Sequence, residues 1–282
     1  MKILLLGARG LIGSALFSVL NLNSENVLAP THAECDVTDK FKLANVCEKF
    51  SPDVIINATG YTAVDRAETD VIEGEKCFTL NGLAPEIISN VAKKYDAKLV
   101  HISTDYVFDG VSHEPYAEDA NTNPISVYAK SKLAGETAVL NYQKSLVART
   151  AWPFGPNGKN FVDTMLELSV KGEPLRVVND QTGSPTYTID FANALYNEIK
   201  KGTNGIVHLV NSGEATWYQL AHEIFTILGL PNAVNPISTV EFNRPAKRPK
   251  YSVLSNEKTP KLRSWKAALS EYLFDKEYIL KA

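Results

Sequence analysis

The sequence predicts an α/β protein, built from a doubly wound parallel sheet and a smaller C-terminal lobe. Short apolar, β-branched runs alternate with helical patterns through the first half of the chain. A glycine-rich turn joins the first of these runs to the first helix. From residue 151 onward the predicted elements become shorter, and proline and glycine become frequent.

The predicted elements follow one another in the order expected of a parallel sheet with crossover helices. Five strands are predicted in the first half, at 2–6, 26–29, 53–57, 99–103 and 145–149. Helical patterns separate them, after residue 13 and at 38–50, at 71–94 and around Tyr128. In the second half, a helix at 188–200 and a strand at 206–209 are predicted to return to the sheet.

The first turn predicts a dinucleotide site. Gly7-Ala8-Arg9-Gly10-Leu11-Ile12-Gly13 follows the first strand directly and opens a helix. Glycines permit a tight turn and let the backbone approach a pyrophosphate, which the N–H groups and the positive dipole end of the helix attract. The spacing is G-x-x-G-x-x-G rather than the commoner G-x-G-x-x-G. We therefore predict a Rossmann-like dinucleotide-binding domain.

Tyr128 and Lys132 are the strongest candidates for chemistry. Four residues apart on a helix, they share one face, although such a pair is often only part of a solvated stripe. Because a nearby ammonium favours the phenolate, we expect Lys132 to lower the pKa of Tyr128. Asn123 and Pro124 are predicted as the N-cap and first residue of this helix.

Hydroxyls and carboxylates cluster after the fourth strand, in Ser103-Thr104-Asp105-Tyr106-Val107-Phe108-Asp109-Gly110. An open α/β sheet binds its ligands beyond the carboxyl ends of its strands. We therefore expect this segment to lie near the glycine turn.

Composition excludes several classes of function. The net charge of −3 on 282 residues gives no basic field for nucleic acid and no basic amphipathic segment for a membrane surface. Three cysteines form no C-x-x-C pair, and the five histidines show no ligand spacing, so we predict no metal. With no transmembrane-length apolar run, we expect a soluble protein, and the odd number of cysteines favours a reducing cytoplasm. We expect a monomer or a homodimer.

We expect two lobes. Residues 1–150 form the predicted dinucleotide-binding domain, and residues 151–282 form a substrate-binding lobe, of which about 186–210 returns to the sheet.

Several separated motifs together resemble the dTDP-4-dehydrorhamnose reductases, a family of extended short-chain dehydrogenase/reductases. Besides the glycine turn and the Tyr128/Lys132 pair, the resemblance rests on the segments 61–68, 103–110, 132–136, 149–152, 158–165, 180–186 and 248–254. It thus covers nearly the whole chain.

The resemblance implies roles for the candidate residues. Tyr128 would protonate the alkoxide that forms when a reduced nicotinamide gives a hydride to the C4 ketone of a sugar nucleotide. Lys132 would hold the nicotinamide ribose, and Thr104 would hydrogen-bond the reacting oxygen. Asp105 and Trp152 would touch the sugar nucleotide, although a turn cap and core packing are the alternatives.

The resemblance also implies a cofactor site. Its residues would be Gly7, Gly10, Leu11, Ile12, Gly13, Asp36, Val37, Gly60, Tyr61 and Thr62, together with Tyr128 and Lys132. The second strand ends in Ala29-Pro30-Thr31-His32, with no carboxylate to read a ribose 2′-OH. Arg9 either meets a 2′-phosphate or is simply solvated. We therefore expect the cofactor to be NADPH or NADH.

The implied function is NAD(P)H-dependent reduction of dTDP-4-dehydro-6-deoxy-L-mannose to dTDP-L-rhamnose, with Arg248 or Lys250 meeting the diphosphate. One alternative is an extended reductase or epimerase acting on a different sugar nucleotide. The other is a non-catalytic, NADP-binding protein resembling the regulatory subunit of methionine adenosyltransferase.

Overall fold

The structure is a computed structural model that describes residues 1–170, 174–230 and 234–276. Its strands are β1 (Lys2–Leu6), β2 (Asn26–Leu28), β3 (Val54–Asn57), β4 (Lys98–Thr104), β5 (Ser145–Thr150), β6 (Pro153–Phe154), β7 (Leu175–Val178), β8 (Thr182–Gly183), β9 (Thr186–Tyr187), β10 (Gly205–His208), β11 (Ala215–Thr216) and β12 (Val234–Ile237). Its helices are α1 (Leu11–Leu22), α2 (Lys40–Phe50), α3 (Val64–Thr69), α4 (Val71–Phe78), α5 (Ala84–Lys94), α6 (Val127–Leu140), α7 (Phe161–Ser169), α8 (Thr188–Lys201), α9 (Trp217–Leu228), α10 (Thr239–Phe242) and α11 (Trp265–Asp275).

The central sheet has six strands in the order β10-β5-β4-β3-β1-β2, and every neighbouring pair is parallel. Such a sheet is covered by helices on both faces, which is why its strands are almost continuously apolar. Leu4 and Leu5, which point to opposite faces of β1, are both fully buried. The predicted fold class, a doubly wound parallel sheet, is confirmed.

The two faces of the sheet have separate apolar layers. On one face, Leu16 of α1 and Phe191 of α8 pack together against the strands. On the other face, α2, α5 and α6 contribute Leu43, Ile88 and Val139. This arrangement leaves the carboxyl ends of the strands uncovered for a ligand.

The predicted helical region at 71–94 is divided into three parts. α4 and α5 are joined by one π-helical turn, Thr79–Leu83, and the short helix α3 precedes them. We had not predicted α3. Asp70, between α3 and α4, ends one helix and caps the next, because its carboxylate accepts hydrogen bonds from the backbone N–H of Ile72 (2.9 Å) and of Glu73 (3.1 Å).

The predicted start of the Tyr128 helix is wrong. α6 begins at Val127, and Ser126 is its N-cap, with Oγ accepting from the N–H of Ala129 at 3.2 Å. Asn123 instead donates its side-chain amide to Asp109 at 3.0 Å and its backbone N–H to the carbonyl of Val107 at 2.9 Å. Asn123 and Pro124 therefore belong to the loop before the helix.

A buried ion pair ties α6 to the sheet. Arg149 of β5 donates to both carboxylate oxygens of Glu136, with its NH2 group 2.7 Å from Oε2. Both side chains are almost fully buried, so removing either one would leave the other charge unpaired. The pair fixes the helix that carries Tyr128 and Lys132.

The C-terminal part of the chain has its own apolar core and three two-stranded sheets, β6-β9, β7-β12 and β8-β11. Two of its elements lie with the central sheet, because α8 packs against α1 and β10 pairs with β5. The exact division into residues 1–150 and 151–282 stays a prediction.

His101 is a half-satisfied polar residue of the core. It is fully buried in β4, and its Nδ1 lies 3.1 Å from the side-chain amide of Asn57, whereas its Nε2 has no hydrogen-bond partner among the described residues. All three cysteines are buried and unpaired with one another. Among the residues that the structure describes, no helix is both long enough and apolar enough to span a bilayer.

Candidate active site

The glycine turn has the geometry of a backbone cradle. Gly7 has φ +85°, and a Cβ there would lie 2.7 Å from the carbonyl of Ala58. A Cβ on Gly13 would lie 2.0 Å from the carbonyl oxygen of Gly7. Gly10 precedes α1, and no side chain in the described part of the chain caps this helix. Its first N–H groups can therefore bind an anion such as a pyrophosphate.

The turn opens into a cavity of about 540 Å³ at the carboxyl edge of the sheet. This volume is in the range of small-molecule sites. The cavity, here called the main cavity, brings together most of the residues predicted for cofactor and substrate: Gly10, Leu11, Ile12, Gly60, Tyr61, Thr62, Thr104, Asp105, Tyr128, Lys132 and Trp152.

Four predicted cofactor residues lie outside this lining. Gly7 and Gly13 form the turn beneath the cavity through their backbones. Asp36 accepts hydrogen bonds from the N–H and the hydroxyl of Thr38, at 2.9 and 2.7 Å, and Val37 is buried in the core. A role for Asp36 and Val37 in binding the adenine side of the cofactor stays a prediction.

Lys132 is a buried lysine in the wall of the main cavity. Its ammonium donates to the carbonyl oxygen of Ile102 at 2.6 Å, next to the end of β4. Burial lowers the pKa of Lys132 to about 8, although the carboxylate of Glu136 opposes that shift. Lys132 therefore retains most of its charge at neutral pH.

The pKa of Tyr128 is raised rather than lowered. Burial of the phenol is the largest cause, and the nearby hydroxyl of Thr104 opposes it. The expectation that Lys132 gives Tyr128 a lowered pKa is therefore wrong for the protein without ligands. The desolvation of the phenolate outweighs any attraction from the ammonium. Tyr128 is consequently protonated at neutral pH.

Thr104 and Asp105 form a short hydrogen-bonded chain at the floor of the main cavity. The Thr104 hydroxyl lies 3.0 Å from Oδ1 of Asp105, and the Ser252 hydroxyl donates to Oδ2 at 2.6 Å. Burial raises the pKa of Asp105 to about 6, although both hydroxyls oppose the shift. Ser252 thus connects the C-terminal lobe to the site.

Two buried hydroxyls of the main cavity are free to bind a polar ligand. Ser103 and Thr150 line it, at the ends of the neighbouring strands β4 and β5. Neither hydroxyl oxygen has a hydrogen-bond partner among the described residues. An unpaired buried hydroxyl is costly, and a ligand can supply the missing partner.

Asn81, which we had not predicted, holds one wall of the main cavity. Its side chain accepts from the N–H of Tyr61 at 2.8 Å and donates to the carbonyl of Tyr61 at 3.1 Å. It also donates to Ser131 Oγ at 3.0 Å, and that hydroxyl donates to the carbonyl of Tyr128 at 2.7 Å. Asn81 lies in the π-helical turn, which a sequence pattern does not reveal.

A second cavity of about 460 Å³ lies beside the first. Tyr106, Phe161, Met165 and Trp217 give it an apolar lining. Its lining also contains Arg176, Arg244 and Arg248, which are ion-paired with carboxylates, Arg176 with Glu241 and the other two with Asp65. Tyr106 also meets the ring of Tyr128 edge-on, with centroids 6.0 Å apart. This feature, here called the second cavity, therefore adjoins the main cavity at the proposed acid.

Arg248 and Lys250 have different surroundings. Arg248 makes a bidentate ion pair with Asp65, with both N–O distances 2.9 Å. Lys250 lines a separate open groove with Asp109 and His113. Arg248 is thus positioned at the second cavity, with its charge already shared with Asp65. Contact of either residue with a diphosphate stays a prediction.

A carboxylate does lie near the end of the second strand. Glu34 accepts from the N–H and hydroxyl of Thr31, at 2.7 and 2.8 Å. These two hydrogen bonds, and to a smaller extent the charge of Arg9, lower the pKa of Glu34. Glu34 lies just beyond the run Ala29-Pro30-Thr31-His32 that follows the second strand. The spacing of about 20 residues from the glycine turn would have identified Glu34.

The chain is similar to known proteins over nearly its whole length. The family model described as the RmlD substrate binding domain matches residues 1–277. A probable dTDP-4,6-dihydroxy-2-methyloxan-3-one 4-ketoreductase of Streptomyces antibioticus is 40% identical, covering 96% of this chain and 94% of the relative.

Two solved structures are similar over almost their whole length. A dTDP-4-dehydrorhamnose reductase of Clostridium acetobutylicum has a TM-score of 0.94 and 37% identity, covering 98% of this chain and 100% of that chain. A dTDP-4-dehydrorhamnose reductase of Bacillus anthracis, solved in complex with NADP, has a TM-score of 0.93 and 33% identity, covering 97% and 99%. The chain therefore belongs to the RmlD family, the family of the dTDP-4-dehydrorhamnose reductases.

Proposed function

We propose that the protein uses NADPH or NADH to reduce the C4 ketone of dTDP-4-dehydro-6-deoxy-L-mannose, giving dTDP-L-rhamnose. The observation that carries this proposal is the convergence of Tyr128, Thr104 and Lys132 on a cavity that begins at the glycine turn. Family membership supports it, because the similar proteins are named as reductases of dTDP-linked keto sugars.

The residues present fit a dinucleotide. The glycine cradle and the uncapped start of α1 would hold the pyrophosphate, and Tyr61, Thr62 and Lys132 would hold the ribose and nicotinamide side. When bound, the reduced nicotinamide supplies the hydride. The unpartnered hydroxyls of Ser103 and Thr150 lie where polar groups of the cofactor or the sugar would complete their hydrogen bonds.

Tyr128 supplies the proton. Since its pKa is raised, the phenol keeps its proton until a stronger base forms beside it. A C4 alkoxide is such a base, so the O–H bond of the phenol breaks as the C4 hydroxyl forms. Thr104 lines the same cavity, and its hydroxyl would turn its single proton from Asp105 to the reacting oxygen.

Lys132 acts on the phenolate left by this step. On α6 it lies one turn from Tyr128, and its ammonium is the buried positive charge of this wall. A positive charge in a poorly solvated site stabilises a phenolate more than it does in water. Lys132 thus favours proton transfer once the reaction has begun.

The nucleoside diphosphate would occupy the second cavity. Its apolar wall suits a pyrimidine base, and its three arginines suit a diphosphate. Asp105 and Trp152 line the main cavity and would contact the sugar, whereas Tyr106 and Trp217 line the second. The substrate would then extend from one cavity to the other.

The experiment is NADPH oxidation by the purified protein with a panel of sugar nucleotides. The panel contains dTDP-4-dehydro-6-deoxy-L-mannose and dTDP-4-dehydro-6-deoxy-D-glucose, which differ in the configuration of the sugar. A UDP-linked 4-keto sugar is the control for the base. We expect the highest kcat/KM for the first compound. A higher value for another 4-keto sugar would support the alternative of a related reductase with a different substrate. No turnover of any member, with cofactor still bound, would support the regulatory-subunit alternative.

We further propose that the protein acts in the cytoplasm as a monomer or a homodimer. Three buried thiols that do not pair with one another are compatible with a reducing compartment. Sedimentation of the purified protein tests the oligomeric state.

A further inference from the structure

Two tryptophans form a wall shared by the two cavities. Trp152 lines the main cavity and Trp217 lines the second cavity. Their rings are stacked with centroids 3.5 Å apart and an angle of only 5° between the planes. Aromatic rings usually prefer an offset or edge-on arrangement. The surrounding structure must therefore hold this face-to-face pair.

Trp152 has a strained backbone. Its φ is +44°, in the left-handed region that bulky side chains rarely adopt. Such strain persists only where neighbouring contacts fix it, and it often marks a functional position. One of those contacts is Gly183, where a Cβ would lie 2.4 Å from Cε2 of the indole. A second is a hydrogen bond from the N–H of Thr186 to the Trp152 carbonyl, at 3.2 Å.

Trp217 provides the remaining support, and its own position is fixed by the start of α9. Thr216 and Gln219 form a capping box: Thr216 Oγ1 accepts from the N–H of Gln219 at 3.1 Å, and Gln219 Oε1 accepts from the N–H of Thr216 at 2.8 Å. Phe161 packs on Trp217 with centroids 4.7 Å apart. Trp217 is only half-buried, and it lines the second cavity.

We propose that Trp217 is a positioning residue for the substrate. It holds Trp152 against the main cavity, and it contacts the nucleoside diphosphate in the second cavity. Binding of the nucleotide thereby fixes the wall against which the sugar lies. This inference rests on the proposed function, since it assigns the nucleotide of the substrate to the second cavity.

The test compares Trp217→Leu and Trp217→Phe with the wild type. Leucine removes the stacking surface, so KM for the sugar nucleotide is expected to rise by about tenfold, the scale of one lost aromatic contact. The kcat should fall less than KM rises, and the Kd of NADPH, measured by nucleotide fluorescence, should not change. Phenylalanine can still stack on Trp152, so it should restore KM to within about threefold of the wild type.

Trp265→Phe is the matched control, because Trp265 is a buried indole of the C-terminal core that packs beside Gly213. It should leave KM unchanged. In this variant only the stacked pair emits indole fluorescence, since the chain has three tryptophans. Adding dTDP alone is therefore expected to quench that emission.

Several outcomes would overturn the inference. They are an unchanged KM in Trp217→Leu, an equal loss of cofactor affinity, failure of phenylalanine to restore KM, or no response of the indole emission to dTDP. Failure of the proposed function is distinguishable, because the wild type would then reduce no 4-keto sugar nucleotide.

Discussion

Replacement of Asp105 by asparagine should change the free energy of unfolding more favourably at pH 8 than at pH 4, each compared with the wild type at the same pH. Asp105 is 2% exposed, and its pKa rises from 3.8 to about 6, chiefly through burial. Asparagine keeps an acceptor for the Ser252 hydroxyl and replaces the other carboxylate oxygen with a donor toward Thr104. The main difference between the two side chains is thus the charge.

The sign follows from proton binding. Below pH 3.8 the carboxyl is neutral in the folded and unfolded states, and its ionisation costs no stability. As pH rises from 3.8 to about 6, the unfolded chain loses its proton first, so the wild type loses stability. Above about pH 6 the loss of stability no longer grows. The difference between the folded and unfolded pKa values corresponds to a total loss of about 3 kcal/mol.

The assay is urea unfolding of the cofactor-free protein at pH 4 and pH 8. We expect the free-energy difference between Asp105→Asn and the wild type to change by about 2.5 kcal/mol between the two pH values, in favour of the variant at pH 8, because the carboxyl of the unfolded chain is already partly ionised at pH 4. Asp119→Asn, at an exposed position, is the control and should show little change. A pH-independent difference for Asp105→Asn would refute the argument that burial raises this pKa.

Three further predictions concern the chemistry and the cofactor. Tyr128→Phe should lower kcat by about 10²-fold or more, the scale of a lost general acid, and should leave the Kd of NADPH unchanged. Turnover at the wild-type rate would show that Tyr128 is not the proton donor. Lys132→Met should both weaken NADPH binding in a fluorescence titration and slow turnover, and unchanged values of both would assign Lys132 to packing alone. NADPH should be used at least as well as NADH. Glu34→Gln should raise the ratio of kcat/KM for NADPH to kcat/KM for NADH by about fivefold, the effect of removing one nearby negative charge. An equal change for both cofactors would exclude Glu34 as the residue that contacts the 2′ position of the ribose.

The fold could be predicted because parallel strands buried on both faces leave a clear signal. The apolar run at 2–6 and the glycine turn after it could be identified without knowledge of any contact. The start of α6 could not, because Asn123 and Ser126 are both good N-caps. The tertiary contacts of Asn123 with Asp109 and Val107 decide between them.

The site could be predicted only in part, because its motifs can be read from the sequence whereas its electrostatics depend on burial. Spacing places Tyr128 and Lys132 on one helix face, but it does not show how much water surrounds the phenol. The direction of the pKa of Tyr128 was therefore predicted wrongly. Trp217 was missed for a different reason, since its partner Trp152 is 65 residues away in the sequence and only the fold brings the two rings together.

In the proposed function, this site directs a hydride from the reduced nicotinamide to C4 of a dTDP-linked keto sugar. The most direct measurement uses NADPH deuterated at nicotinamide C4, in separate experiments for the two faces of the ring, with dTDP-4-dehydro-6-deoxy-L-mannose as substrate. We predict that one of the two labelled cofactors places a single deuterium at C4 of dTDP-L-rhamnose, detected by NMR and mass spectrometry of the product. Formation of product without deuterium at C4 from either labelled cofactor, or no product at all, would contradict the account.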